Sequence, residues 1–170
     1  MLYGGLPLVA LASSPEDKIA ILNALYTETY LRDIVGRNKI RKVAELENLL
    51  DILASTIGSL VNPEKLRKTF HSVKNSKINA STLTKYIAYL EDAYLLEAAQ
   101  RYDIKGKAYI ETPQKYYYSD LGLRNARLNF RQLEETHSME NIIYNELRHR
   151  KFNVDIGQVA VNEKNTAGTY

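Results

Sequence analysis

The chain has 170 residues, 45% of them apolar, a net charge of +3 and no cysteine. That is the composition of an ordinary globular protein, long enough for one domain or two small ones. It excludes a disulfide framework and a thiolate metal site, and no apolar run approaches the ~20 residues that cross a bilayer.

The leading stretch 6–12 faintly imitates a signal peptide, but Pro7 interrupts it and no Lys or Arg precedes it, so a cytoplasmic location is expected. Ser14, Pro15 and Glu16 open the first predicted helix, which runs to about Val35 with Ile19, Leu22, Tyr26 and Tyr30 inward and Gly36 at its end. A second helix is predicted over 43–57, where Leu46, Leu49, Leu50, Leu53 and Ile57 form a wide apolar stripe that packs under the elements that follow. Asn62, Pro63 and Glu64 start a short third helix to about His71, and 72–76 is turn-rich. Asn79 caps a fourth helix, with Ile78 and Leu83 at the positions of a hydrophobic staple. Leu83, Ile87, Leu90 and Tyr94 recur on its core-facing stripe, and Ser81, Lys85, Ala88, Tyr89 and Asp92 lie opposite. Beyond Leu96, Lys105-Gly106-Lys107 is a turn between segments that can pair as strands. Helix, turn, helix, hairpin is the order of a winged helix-turn-helix, with the wing over about 95–119.

Charge is uneven along this order. Between 61 and 90, Lys65, Arg67, Lys68, Lys74, Lys77 and Lys85 stand against Glu64 alone, a local charge of +5. Lys74, Lys77, Ser81, Thr82 and Lys85 at the helix face, and Lys105 and Lys107 on the wing, are therefore the candidate nucleic-acid contacts. They suit phosphate rather than base edges, because no Arg or Asn pair of the kind that reads guanine or adenine accompanies them. DNA is the expected partner. A solvated basic surface and a protein-docking face are the alternatives, and Asp92 on the outward face favours docking. Tyr116, Tyr117 and Tyr118 alternate faces on a strand, so they cannot form one stacking platform.

The composition turns polar around 128–137, which sets a soft boundary between a region 1–127 and a region 128–170. Ser138 is expected to cap a helix to about Lys151, followed by an alternating strand over 152–163 and a hairpin turn at 164–168 with almost no returning strand. The second region thus reads as an incomplete α/β element whose unpaired edge makes homodimerisation through the strand after Phe152 a hypothesis.

Taken in order, Tyr3-Gly4-Gly5-Leu6-Pro7, Leu31-Arg32-Asp33-Ile34-Val35, Lys85-Tyr86-Ile87, the run from Leu90-Glu91-Asp92 through Leu96, Lys115 to Asp120 with Gly122-Leu123-Arg124, and Met139-Glu140-Asn141 with Glu146-Leu147 resemble the uncharacterised C-terminal region of bacterial and archaeal AAA-like ATPases. The resemblance covers nearly the whole chain and implies a winged helix followed by a restriction-endonuclease-like domain, in which Glu140 would correspond to the carboxylate of the first helix. The other acidic and basic residues of such a site would lie on strands beyond Tyr170. One helical glutamate cannot hold a catalytic metal, so Glu140 reads as a first-turn residue favoured by the helix dipole. Nothing matches G-x-x-x-x-G-K-[ST], so ATP and Mg are expected only for an ATPase domain outside this chain. No catalytic residue, metal ligand or cofactor is assigned to the chain itself. His71, His137 and His149 are not spaced as a metal pair and read as surface histidines, and Glu146 with Arg150 reads as an i,i+4 ion pair. Arg32 and Asp33 would contact the neighbouring ATPase module or form an internal salt bridge. The expectation is an α+β fold, mainly helical: a bundle with a winged helix-turn-helix plus the incomplete C-terminal element. It is expected to act as an accessory region that binds nucleic acid, or that docks on its own ATPase domain or another subunit.

Overall fold

The computed structural model describes residues 2–131 and 135–158. It is mixed α+β. After a short helix α1 (Pro7–Leu11), a long helical rod runs through α2 (Pro15–Ala24), a π-helical stretch (Leu25–Leu31) and α3 (Arg32–Arg37). Ser14 caps it, its hydroxyl accepting from Asp17 N at 3.0 Å. The wider π turn brings Ile34 back onto the buried stripe of Leu22 and Tyr26. The rod does not stop at Gly36, which lies inside its last turn. Asn38 follows as the cap and Lys39 takes the left-handed conformation (φ 51°).

Helix α4 (Val43–Ser55) buries Leu46, Leu49, Leu50 and Leu53. It ends two residues before Ile57, which is also buried. A two-residue strand β1 (Leu60–Val61) leads into α5 (Pro63–Lys74), α6 (Ala80–Asp92) and a hairpin of β2 (Leu96–Asp103) and β3 (Ala108–Tyr118). Helix α5 runs one turn beyond His71, because Asn75 supplies a left-handed cap (φ 49°) and Ser76 N closes onto the Phe70 carbonyl at 3.1 Å. Helix α7 (Leu121–Arg127), α8 (Glu135–His149) and β4 (Ile156–Gln158) complete the described chain.

The sheet order is β1-β3-β2-β4, with β1 and β2 antiparallel to β3 and β4 parallel to β2. Ala99 pairs with Lys115 but Arg101 with Ile110, so residues 111–114 of β3 bulge out. Pro113 sits in that bulge, where its missing N–H costs no ladder bond. The alternation of Tyr116, Tyr117 and Tyr118 is what the strand spacing predicts. Tyr116 and Tyr118 join the main core with α4, α6 and the rod, and Tyr117 joins a small cluster on the other face with Ala99 and Tyr144.

Three further expectations are corrected here. Tyr94 does not continue the buried stripe of Leu83, Ile87 and Leu90. The helix ends at Asp92, Tyr94 turns left-handed (φ 55°), and its ring is 83% exposed. Ser138 is no cap, since α8 already includes Glu135. The C-terminal strand, expected over 152–163, begins at Ile156 rather than Phe152, residues 152–155 being irregular, and is described as far as Gln158. The rest of the expected strand, 159–163, and the turn at 164–168 fall outside the described residues.

Candidate nucleic-acid interface

The α5–α6 pair is specified locally at both starts. Asn62 accepts from Glu64 N at 2.8 Å, and Asn79 accepts from Thr82 N at 2.8 Å, each holding one of the donors that a helix start leaves free. Ile78 and Leu83 are both buried, as a staple requires. The connection between the helices is tied to α4 by Ser76, whose hydroxyl donates to Glu45 at 3.4 Å.

On this frame Lys74 ends α5, Lys77 lies in the connection, and Ser81 and Lys85 are a helical turn apart on the outer side of α6. All four are exposed, Thr82 is half-buried, and Ala88 and Asp92 extend the same outer face. Ser81 is partly engaged, its hydroxyl donating to Asn79 Oδ1 at 3.0 Å. Arg67 pairs with Glu64 at 3.0 Å, whereas among the described residues Lys74, Lys77 and Lys85 make no ion pair. Lys105 and Lys107 are exposed at the tip of the β2–β3 hairpin. There Asp103 accepts from Lys105 N at 3.0 Å and Lys107 turns left-handed (φ 51°). The candidate residues thus form two groups, one around the start of α6 and one at the hairpin tip.

A second polar constellation joins two of the segments that carry the family resemblance, Lys115 to Asp120 and Met139-Glu140-Asn141. Glu140 accepts from Lys115 Nζ and from the Tyr117 hydroxyl, both at 2.6 Å, and so ties α8 to β3. It is the sixth residue of α8 rather than a first-turn residue, and its partners are side chains, not helix N–H groups. Burial pushes the Tyr117 phenol well above its ordinary range, and the bond to Glu140 adds to this. His137 is half-buried rather than a surface residue: Gly58 (φ 71°) lies against it, and a Cβ there would stand 2.8 Å from Nδ1. Next to this group Asn141, wholly buried, accepts from Tyr118 N and donates to Tyr118 O, both at 2.8 Å. Its amide continues the ladder at Tyr118, beyond Gln114 and Lys115 where β3 pairs with β1.

The N-terminal motif docks on the start of α7. Asp120 accepts from Gly122 N at 2.8 Å and from Gly5 N at 2.7 Å, and Asn125 donates to Leu2 O at 2.8 Å. Gly4 (φ 72°) has no room for a side chain, because a Cβ would stand 2.0 Å from Asp120 Oδ1. Wholly buried Arg124 donates to Ala54 O at 2.8 Å, anchoring α7 on the end of α4. Arg32 pairs with Glu28 and Asp33 with Arg37 along the rod, at 3.2 and 3.3 Å, and Glu146 pairs with Arg150 at 2.7 Å. Among the described residues no three acidic or histidine side chains converge to hold a metal ion, and no helix is long and apolar enough to cross a membrane.

A family model described as a domain of unknown function, DUF8612, matches residues 1–134. Curated relatives include an uncharacterised protein of Haemophilus influenzae, 35% identical over 95% of this chain and 40% of its own length. Another is the uncharacterised protein MJ1544 of Methanocaldococcus jannaschii, 28% identical over 96% of this chain and 36% of its own. The chain therefore spans about two-fifths of the length of these relatives. No solved structure matches it.

Proposed function

The chain belongs to the DUF8612 family, and from the surface just described we propose that it is the nucleic-acid-binding accessory region of a larger protein, holding phosphate through a winged helix. The observation that carries the reading is the set Lys74, Lys77 and Lys85, exposed and, among the described residues, without an ion pair around the start of the outward-facing helix. The element order supports it. A helix, a short strand, two helices and a hairpin, with the short strand paired to the second hairpin strand, is the order expected of a winged helix. In this reading α6 is the recognition helix, Ser81 and Thr82 add hydroxyl contacts, and Lys105 and Lys107 reach a neighbouring phosphate from the wing. Contacts of this kind give affinity with little base identity. The greater length of the relatives fits an accessory role. The resemblance to the C-terminal region of AAA-like ATPases would make the rest of the protein the seat of ATP and Mg, leaving this chain without catalysis of its own.

Binding to labelled duplex DNA across a salt series tests the proposal. Affinity should fall steeply with salt, and replacing Lys74, Lys77 and Lys85 with Ala should weaken binding and flatten the slope by roughly one unit per lost phosphate contact. Binding that ignores salt, or a triple variant that binds like the parent, would overturn it.

A second reading, a docking face for the protein's own ATPase domain or another subunit, is favoured by Val73 and Tyr94, which are 70% and 83% exposed at the ends of α5 and α6. Under that reading the lysine substitutions leave DNA binding unchanged, whereas Tyr94→Ala weakens association with the partner protein.

A further inference from the structure

Helix α8 buries one side and leaves the other bare. Asn141 and Tyr144 face the sheet, whereas Met139, Ile142 and Ile143 are 59%, 37% and 54% exposed. Large apolar side chains grouped in this way on a surface mark an interaction site. The charges on the same outward stripe are ordered around them: exposed Glu135 lies a turn before Met139, and exposed Glu146 and Arg150 follow Ile143 at helical spacing. The stripe is acidic at its start, apolar in its middle and basic at its end.

We propose that this face pairs with the same face of a second copy of the chain, the two α8 helices lying antiparallel about a two-fold axis. The stripe is self-complementary about the point between Ile142 and Ile143. An antiparallel pair sets Ile142 against Ile143 of the second copy, Met139 along the aliphatic stem of its Glu146, and Glu135 against its Arg150, with each contact made twice. Arg150 already pairs with Glu146 of its own helix at 2.7 Å, and its guanidinium has donors left for a second carboxylate. The apolar centre supplies the affinity, because exposed ion pairs contribute little. The charges choose the direction: parallel packing would set Glu135 against Glu135 and Arg150 against Arg150. Antiparallel packing also sets opposite helix-dipole ends side by side. This interface lies on the helix and is separate from the edge of β4.

Sedimentation across a concentration series is the test. The parent chain should be dimeric at high concentration. Ile143→Glu should be monomeric with unchanged circular dichroism, since the side chain it replaces is over half exposed. Glu135→Lys and Arg150→Glu should each weaken the dimer by about ten-fold, and an equimolar mixture of these two variants should associate as the parent does. Only an antiparallel pair sets the new lysine of one chain against the new glutamate of the other. Three results would overturn the proposal: a parent that stays monomeric throughout, which would assign the face to another part of a longer polypeptide or to a different protein; a dimer indifferent to Ile143→Glu; or a mixture that associates no better than either variant alone.

Discussion

Glu140 stands among a lysine, a phenol and a histidine. Burial by itself pushes its carboxyl up, but the hydrogen bonds from Lys115 and Tyr117 and the charges of Lys115 and His137 outweigh that and hold it below the usual carboxylate range. A carboxyl depressed in the folded state contributes stability that is present above its unfolded value of about 4.3 and is lost as pH falls through the folded value. Glu140→Gln should therefore cost about 1 kcal/mol near pH 7, a figure discounted because the side chain is 37% exposed. The penalty should fall away at acid pH, as the carboxyl is protonated. Urea titrations at the two pH values check this, and equal penalties at both would assign the loss to packing instead. The sequence singled out Glu140 but gave no hint of its partners. Lys115 lies 25 residues away on a strand, and nothing in either neighbourhood couples them until the sheet forms. Asn141 is the same case: a buried asparagine that matches one peptide unit of β3 has no local signature.

The elements were most legible where a side chain closes a helix start on its own backbone. Ser14, Asn62 and Asn79 all cap as their sequence positions predict, because the bond spans only two or three residues. Asn79→Ala should lower stability by about 1 kcal/mol, read as a lower thermal midpoint, while the staple of Ile78 and Leu83 keeps α6 in place. A loss of the whole helix by circular dichroism would show that the cap does more than satisfy one donor. Helix ends were less legible. Asn75, Lys39 and Tyr94 adopt left-handed backbone without being glycine, so neither Gly36 nor the apolar stripe of α6 marked the true stop. Ser138 misled in the other direction, since a capping residue, though it prefers a helix start, is also found inside a helix that began earlier.

Across the molecule the two faces of the sheet are unequally backed. One carries the main core, built from α4, α6, the rod and α7. The other carries Ala99, Tyr117 and Tyr144, with Val154 and Ile156 beside them. Helix α8 is held largely by polar ties: Asn141 and Asn145 to the end of β3, Glu140 to Lys115 and Tyr117, and Arg148 to Glu97 at 2.7 Å. Local stability follows buried apolar contact, so the amides of α8 should exchange with deuterium well before those of α4 and α6. Equal protection in all three would show one cooperative unit. The sequence by itself determined the mixed α+β class, the order of the longer helices and the hairpin, the starts of the rod, α5 and α6, and the basic stretch around α6, because these depend on neighbours within a few residues. Only the tertiary structure decided that Tyr3-Gly4-Gly5 lies against Asp120, that β4 joins β2 in parallel, that Glu140 meets Lys115 and Tyr117, and which face of α8 is left bare. Those contacts join residues far apart along the chain, and the closing of the sheet and core, rather than any local preference, selects them.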